Sequence, residues 1–232
     1  MRFLKALFNR EKRFSFIKTI FYNFKLLPIK QAVHFPLLIG KRVVIQTVNR
    51  GGVKLDQSKS FSVRIGTFHE PAITTCHEYT HFLLEGKLIF EGKANIGKGV
   101  FFNIIGGEVR IGDDFSFTGK SNIRIVNRLI IGSGCLFSWD LLLMDYDGHI
   151  IRNELTEIDN YSKEIVIGNN VWIGCDCKLM GGTLIPDGSV IGSGSFINKK
   201  LDTTNSIYIN NGNRIKTNIS WEKRACPDVI KK

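Results

Sequence analysis

Proline, paired cysteines and long apolar runs are what this chain of 232 residues lacks. Five prolines stand against 23 glycines, the balance of a chain whose corners need positive φ. The five cysteines (Cys76, Cys135, Cys175, Cys177 and Cys226) are an odd number, two of them in a C-x-C. That argues against a disulfide framework and for a reducing compartment. No apolar run approaches the roughly 18 residues of a transmembrane helix. The opening MRFLKALFNREKRF has no uninterrupted apolar core, so it is not a secretory signal and the protein is expected in the cytoplasm. Acids are nearly missing from residues 1–50, where Glu11 faces eleven Lys and Arg. That segment therefore holds +10 of a net charge of +11.

What the chain does have is a repeat of six. Every sixth residue from Ile167 is a large aliphatic: Ile167, Ile173, Leu179, Ile185, Ile191 and Ile197. Four positions after the first five come Val171, Cys177, Thr183, Ser189 and Ser195, all small or β-branched, and glycine follows at 168, 174 and 192. A period of six fits neither a helix nor an alternating strand. It fits a parallel β-helix in which three hexapeptides close one triangular coil, with the aliphatic inside and the small residue sharing the interior. One coil cannot bury its own apolar face, so coils must stack. The predicted class is all-β, with Cys177 in the core.

Four segments follow. Residues 1–40 interleave bases with aromatic and aliphatic residues at 3–4 spacing, which predicts one or two amphipathic helices ended near Pro28 and Pro36. Such a segment caps the first coil, or rests through residues 1–30 on an anionic membrane; no nucleic-acid fold accompanies it. Residues 41–95 read as irregular first coils. They contain His77-Glu78-Tyr79-Thr80-His81, an HExxH pattern whose zinc chemistry needs a helix. The β-rich flanks make it a chance match, and no metal site is predicted. Residues 96–200 are the clear β-helix, interrupted by a polar stretch at 150–164 that reads as a protruding loop; 201–232 are a final strand and tail.

A long loop in a regular solenoid marks function. This one follows Asp145-Tyr146-Asp147-Gly148-His149, and His149 is the last histidine in the chain. A histidine with acids two and four residues before it suits a general base, one carboxylate holding its tautomer.

The repeats, DYDGHII at 145–151 and IVIGNNVWIG at 165–174 together resemble the left-handed β-helix acyltransferases. The closer likeness is to maltose and galactoside acetyltransferases and to O-acetyltransferases of capsule, lipopolysaccharide and colanic acid. The C-terminal IYINNGNRIKTNISW is similar to that group's ending, though Arg214-Ile215 replace its usual Pro-Ala. The resemblance implies a homotrimer with sites in the clefts between prisms, acetyl-CoA as donor and a saccharide hydroxyl as acceptor. It implies His149 as base, supported by Asp145 or Asp147, with Trp172 beside it and the Cys175 N–H donating to the thioester carbonyl. Gly181, Gly182, Ser193 and Gly194 would let the cofactor approach the backbone. Lys199, Lys200, Arg214 and Lys216 are candidates for its phosphates, and Asn122 for the acceptor. The rival readings are an amino-sugar N-acetyltransferase, a zinc enzyme of the carbonic-anhydrase kind and a non-catalytic scaffold.

Overall fold

The computed structural model describes residues 14–47, 51–68, 77–155, 157–158 and 160–223. Its strands fall into three parallel sheets, visited in turn as the chain winds. Strands β1 (Leu37–Ile39), β4 (Val63–Ile65), β7 (Ala94–Ile96), β10 (Phe115–Phe117), β13 (Leu136–Phe137), β16 (Trp172–Ile173) and β19 (Val190–Ile191) stack as the first face. The second face holds β2 (Val43–Thr47), β5 (Thr80–Leu84), β8 (Val100–Ile104), β11 (Ser121–Ile125), β14 (Leu142–Met144), β17 (Lys178–Met180) and β20 (Phe196–Ile197). The third holds β3 (Val53–Leu55), β6 (Lys87–Phe90), β9 (Glu108–Ile111), β12 (Arg128–Ile131), β15 (Ile165–Ile167) and β18 (Leu184–Ile185). The result is a left-handed parallel β-helix, as predicted. A hairpin of β21 (Ile207–Ile209) and β22 (Asn213–Lys216) closes the C-terminal end antiparallel.

The register is the repeat made visible. Ile167 pairs Ile185, Ile173 pairs Ile191 and Leu179 pairs Ile197, each an 18-residue step. These aliphatics are fully buried, as are Val171, Cys177, Thr183, Ser189 and Ser195 beside them. Ile111 pairs Ile131, and Ile131 pairs Ile167 directly, so the extra residues between the last two are the loop. Burial pushes the Cys177 thiol up to about 11 and the Cys135 thiol likewise, as suits thiols packed as small apolar groups.

The corners divide two jobs. Positive φ recurs every six residues at Asn170, Asp176, Gly182, Gly188 and Gly194. The glycines of the Ile-Gly pairs do something else. A Cβ at Gly174 would lie 2.7 Å from Ser193 N, and one at Gly132 would lie 2.6 Å from the Gly168 carbonyl. Those positions are glycine because adjacent coils approach there, not because the backbone turns left-handed.

Regular pairing begins at Leu37, earlier than the sequence repeat suggested. In the lower coils the interior is aromatic: Phe82, Phe90, Phe102, Phe115, Phe117 and Phe137 are all buried, and Phe82 stacks on Phe102 at 4.9 Å. The HExxH stretch ends on β5, where side chains alternate between faces, so its two histidines do not share a helix face.

The N-terminal residues form α1 (Phe16–Leu26), N-capped by Ser15, and a short α2 (Ile29–Ala32). Residues 1–13 lie outside the described set. The inner side of α1 finishes the open edge of the first coil. Asn23 accepts from Leu37 N at 3.1 Å and donates to Leu37 O at 2.8 Å, while Thr19 Oγ1 accepts from Ile39 N at 3.1 Å. The Tyr22 hydroxyl accepts from Ile45 N at 3.0 Å. An exposed strand edge invites pairing with other chains, and these side chains satisfy its polar groups. The outer side presents Phe16, Ile17, Phe21, Phe24, Ile29 and Val33 to solvent.

Candidate active site

The protruding loop leaves and rejoins the prism at the corner between the second and third faces. Lys163 N donates to Asp145 O at 3.3 Å where the two limbs meet. An antiparallel bridge from Arg152 to Ile158 zips the limbs further out. His149 sits on the outgoing limb with its side chain exposed.

The two acids before it part company. Asp145 is 1% exposed, and its carboxylate is taken up by the coil below. Oδ1 accepts from Val126 N at 2.8 Å, and Oδ2 from Asn127 N at 2.8 Å and Arg128 N at 2.9 Å. Asp145 is therefore corrected from a candidate partner of His149 to a structural residue. It directly follows β14 and continues that strand's alternation inward, where three backbone amides donate to it. Asp147 is exposed, and the carboxamide of Asn160 on the returning limb donates to its Oδ2 at 3.0 Å. Asn160 also donates to the His149 carbonyl at 2.8 Å and accepts from Ile151 N at 2.8 Å. No spacing rule marked Asn160, because its partners lie across the loop.

The remaining candidates separate into two groups. Gly181 and Gly182 lie on the corner of His149, one coil further; a Cβ at Gly181 would lie 2.9 Å from Asp145 O. Lys199 and Lys200 follow at the same corner after β20. With Leu201, Asp202, Tyr208, Gly212 and Arg214 they line a cavity of about 340 Å³. Arg214 is not a free cation there: it pairs with Asp202 Oδ1 at 2.9 Å and bonds the Thr203 hydroxyl. The Asp202 carboxyl is held below its ordinary range, first by the Thr203 hydroxyl and then by Arg214. Lys216 is exposed on β22.

The second group lies elsewhere. Trp172 is outward on the first face and exposed, its indole N–H donating to Ser138 Oγ at 3.4 Å. Cys175 and Ser193 stack at the corner between the first and second faces, Sγ to Oγ 3.3 Å, beside Gly194. The Cys175 backbone N–H has no acceptor among the described residues. Asn122 is exposed on the second face, in register with Phe101 and Leu142. On that same face Arg42 lies over the Tyr79 ring, and Tyr79, His81 and Phe101 follow at centroid steps of 5.8 and 6.1 Å.

One further element reaches Trp172. The tail after β22 descends the corner between the third and first faces, with Ile219 N on Asn205 O, Trp221 Nε1 on Asn170 O and Lys223 on Asp114. Trp221 thereby rests against Trp172 with ring centroids 6.0 Å apart. The I-x-W ending was visible in the sequence; its packing on Trp172 was not.

With this geometry in view, residues 164–199 match the bacterial transferase hexapeptide model of six repeats. The chain carries the hexapeptide repeat of bacterial transferases. It is 36% identical over 105 residues to the galactoside O-acetyltransferase of Escherichia coli K12, covering 44% of this chain and 50% of that relative. Against the polysialic acid O-acetyltransferase of Escherichia coli O1:K1 it is 34% identical over 129 residues, 55% of this chain and 40% of the relative. The chain thus spans half or less of the curated relatives it matches. The crystal structure of the polySia-specific acetyltransferase NeuO superposes with a TM-score of 0.56 at 22% identity, covering 82% of this chain and 93% of that one. That likeness speaks for the fold. The resemblance to hexapeptide-repeat acyltransferases stands, and relatives of the hexapeptide chain are named for acetyl transfer.

Proposed function

We propose that this chain transfers the acetyl group of acetyl-CoA to a hydroxyl of a bacterial surface saccharide. His149 accepts the hydroxyl proton as the oxygen attacks the thioester carbon; the C–S bond breaks and the proton passes to the departing thiolate of CoA. In this reading the Cys175 N–H donates to the carbonyl oxygen as it gains charge, a contribution of about 10²–10³ in rate for such a donor. Lys199 and Lys200, which line the cavity, and Lys216 would bind the phosphates of CoA. Asn122 and the aromatic strip on the second face offer an amide and ring faces to a sugar. Support for the acceptor class comes from the relatives, one named for galactosides and one for polysialic acid.

The observation that carries this reading is the division of the candidate site. His149, Gly181 and Gly182 occupy one corner of the prism, whereas Trp172 lies on the opposite face and Cys175 on another corner. One chain does not bring them together. A second copy docked beside the first does, with the loop reaching across, and a cyclic trimer repeats the arrangement three times. Exposed Ile150, Ile151, Leu155 and Tyr161 on the loop support such a contact. Complementation tests it. His149→Ala and Trp172→Ala proteins, each inactive, are unfolded, mixed, refolded together and assayed with acetyl-CoA against galactosides and polysialic acid. Activity returning in the mixture is the expected result. Two inactive proteins that stay inactive when co-assembled would place both residues in one chain's site and defeat the shared-site reading.

The acceptor is proposed to be met at an anionic membrane surface. The outer side of α1 and α2 joins exposed Phe16, Ile17, Phe21, Phe24 and Ile29 to Lys25 and Lys30, within a segment of net charge +10. Each base near such a surface contributes about 1 kcal/mol, and a trimer of parallel prisms would present three such ends together. Among the described residues no helix is long and apolar enough to cross a membrane. The protein is expected to sediment with phosphatidylglycerol vesicles at low salt, less at high salt, and not with neutral vesicles. A protein that remains in the supernatant under all three conditions has no membrane-docking end.

A further inference from the structure

Asn160 makes three side-chain bonds at the loop, and all three span the gap between its limbs. The carboxamide oxygen accepts from Ile151 N at 2.8 Å, and the amide nitrogen donates to the His149 carbonyl at 2.8 Å and to Asp147 Oδ2 at 3.0 Å. One side chain therefore fixes the backbone on both sides of His149 and the acid that precedes it. Residues 147–155 are exposed; beyond Asn160, the described contacts of the loop include the bridge from Arg152 to Ile158, the turn bonds to Asn153, Asn127 Nδ2 on Ser162 O and Lys163 N on Asp145 O.

We infer that Asn160 is a positioning residue for His149, resting on the reading of His149 as the base. Exposed imidazole on a mobile backbone samples many orientations, and a displacement of about 1 Å at a reacting group costs on the order of a hundredfold in rate. A clamp across the limbs removes that freedom before substrate arrives. The chemistry of the clamp also matters. A lysine in this place would hold Asp147 by neutralising it; a carboxamide holds it as a neutral donor and leaves the carboxylate's charge available to an imidazolium. The amide further supplies an acceptor for Ile151 N, which neither lysine nor arginine could do. Asn is the short side chain that carries two donors and an acceptor together.

The test uses the full chain, with acetyl-CoA and the acceptor of highest wild-type turnover among galactosides and polysialic acid. Asn160→Ala is expected to lower kcat by ten- to a hundredfold with the KM for acetyl-CoA unchanged. Asn160→Asp keeps the shape and the acceptor for Ile151 N but loses both donors and repels Asp147, so it is expected to fall at least as far. The double variant His149→Ala/Asn160→Ala decides what Asn160 acts through. If it acts through His149, the double variant is no slower than His149→Ala alone. A further tenfold loss in the double variant overturns the inference, as does wild-type kcat in Asn160→Ala. So does a loss confined to KM or matched by a fall in the thermal midpoint, which would make Asn160 a folding contact. Full activity in His149→Ala would instead defeat the base assignment itself, a result read separately from the Asn160 variants.

Discussion

Replacing His149 by alanine is expected to lower acceptor-dependent release of CoA thiol by at least a hundredfold. The substitution removes the only described imidazole at the loop and leaves its surroundings standing, since the described bonds of His149 run through its backbone carbonyl. A positioned general base contributes typically 10²–10⁴. The thermal midpoint and acetyl-CoA affinity should stay near wild type, because the side chain is exposed. Thiol release followed with a disulfide reagent, alongside calorimetric binding of acetyl-CoA, measures both. Glycan-dependent turnover that survives the substitution would move the base elsewhere. Binding and turnover lost together would show that the loop, and not the imidazole, had been damaged.

Asp145→Ala is expected to act in the opposite way, as the largest stability loss of any single substitution at this corner. The carboxylate accepts from three consecutive backbone amides, Val126, Asn127 and Arg128, and is 1% exposed. Alanine would leave those donors facing a cavity without water's full access. Each unsatisfied buried donor costs roughly 1–3 kcal/mol, and partial relaxation brings the sum to about 3–5 kcal/mol. For a chain of this size that corresponds to a fall in thermal midpoint of roughly 10 °C. Asparagine in the same place should cost less, since its carbonyl can still accept while its amide must turn away. Thermal unfolding followed by circular dichroism distinguishes the outcomes. A midpoint unchanged in Asp145→Ala, with kcat reduced, would return Asp145 to the catalytic group and reverse its assignment to the coil.

These two substitutions stand four residues apart on one loop base, and the sequence alone treats their acids as equivalent. Asp145 and Asp147 both precede the histidine at even spacing, which would aim them to one side only on a regular strand. The strand ends at Met144. Asp145 still follows its alternation and turns inward, whereas Asp147 has already left the prism. The sorting comes from where β14 stops, and stopping depends on the neighbouring coils.

The lower coils give a second contrast. The sextet from Ile167 to Ile197 is legible because its interior is uniformly aliphatic, so the period shows in the letters. Below residue 96 the same interior is filled partly by Phe82 and Phe90, and turns of unequal length separate the strands. The period is physically present, as Leu37 pairing Val63 demonstrates, but it is written in mixed residues at irregular steps. In the same way α1 is legible as amphipathic, and only its packing shows that Thr19, Tyr22 and Asn23 complete a strand edge while a second apolar side stays outward.

By itself the sequence determined the coil: a hexapeptide period, a buried aliphatic with a small neighbour, a loop after His149 and a basic aromatic start. Those features are local or periodic, so each is readable within about eighteen residues of chain. Only the tertiary structure decided which acid belongs to the coil and which to the loop, that Asn160 spans the loop's limbs, and that Trp221 returns to Trp172. It also decided that His149 and Trp172 occupy different sides of one prism. The physical reason is the winding itself. A triangular coil sends residues six apart to different faces and brings residues eighteen or more apart into contact, so proximity along the chain ceases to predict proximity in space.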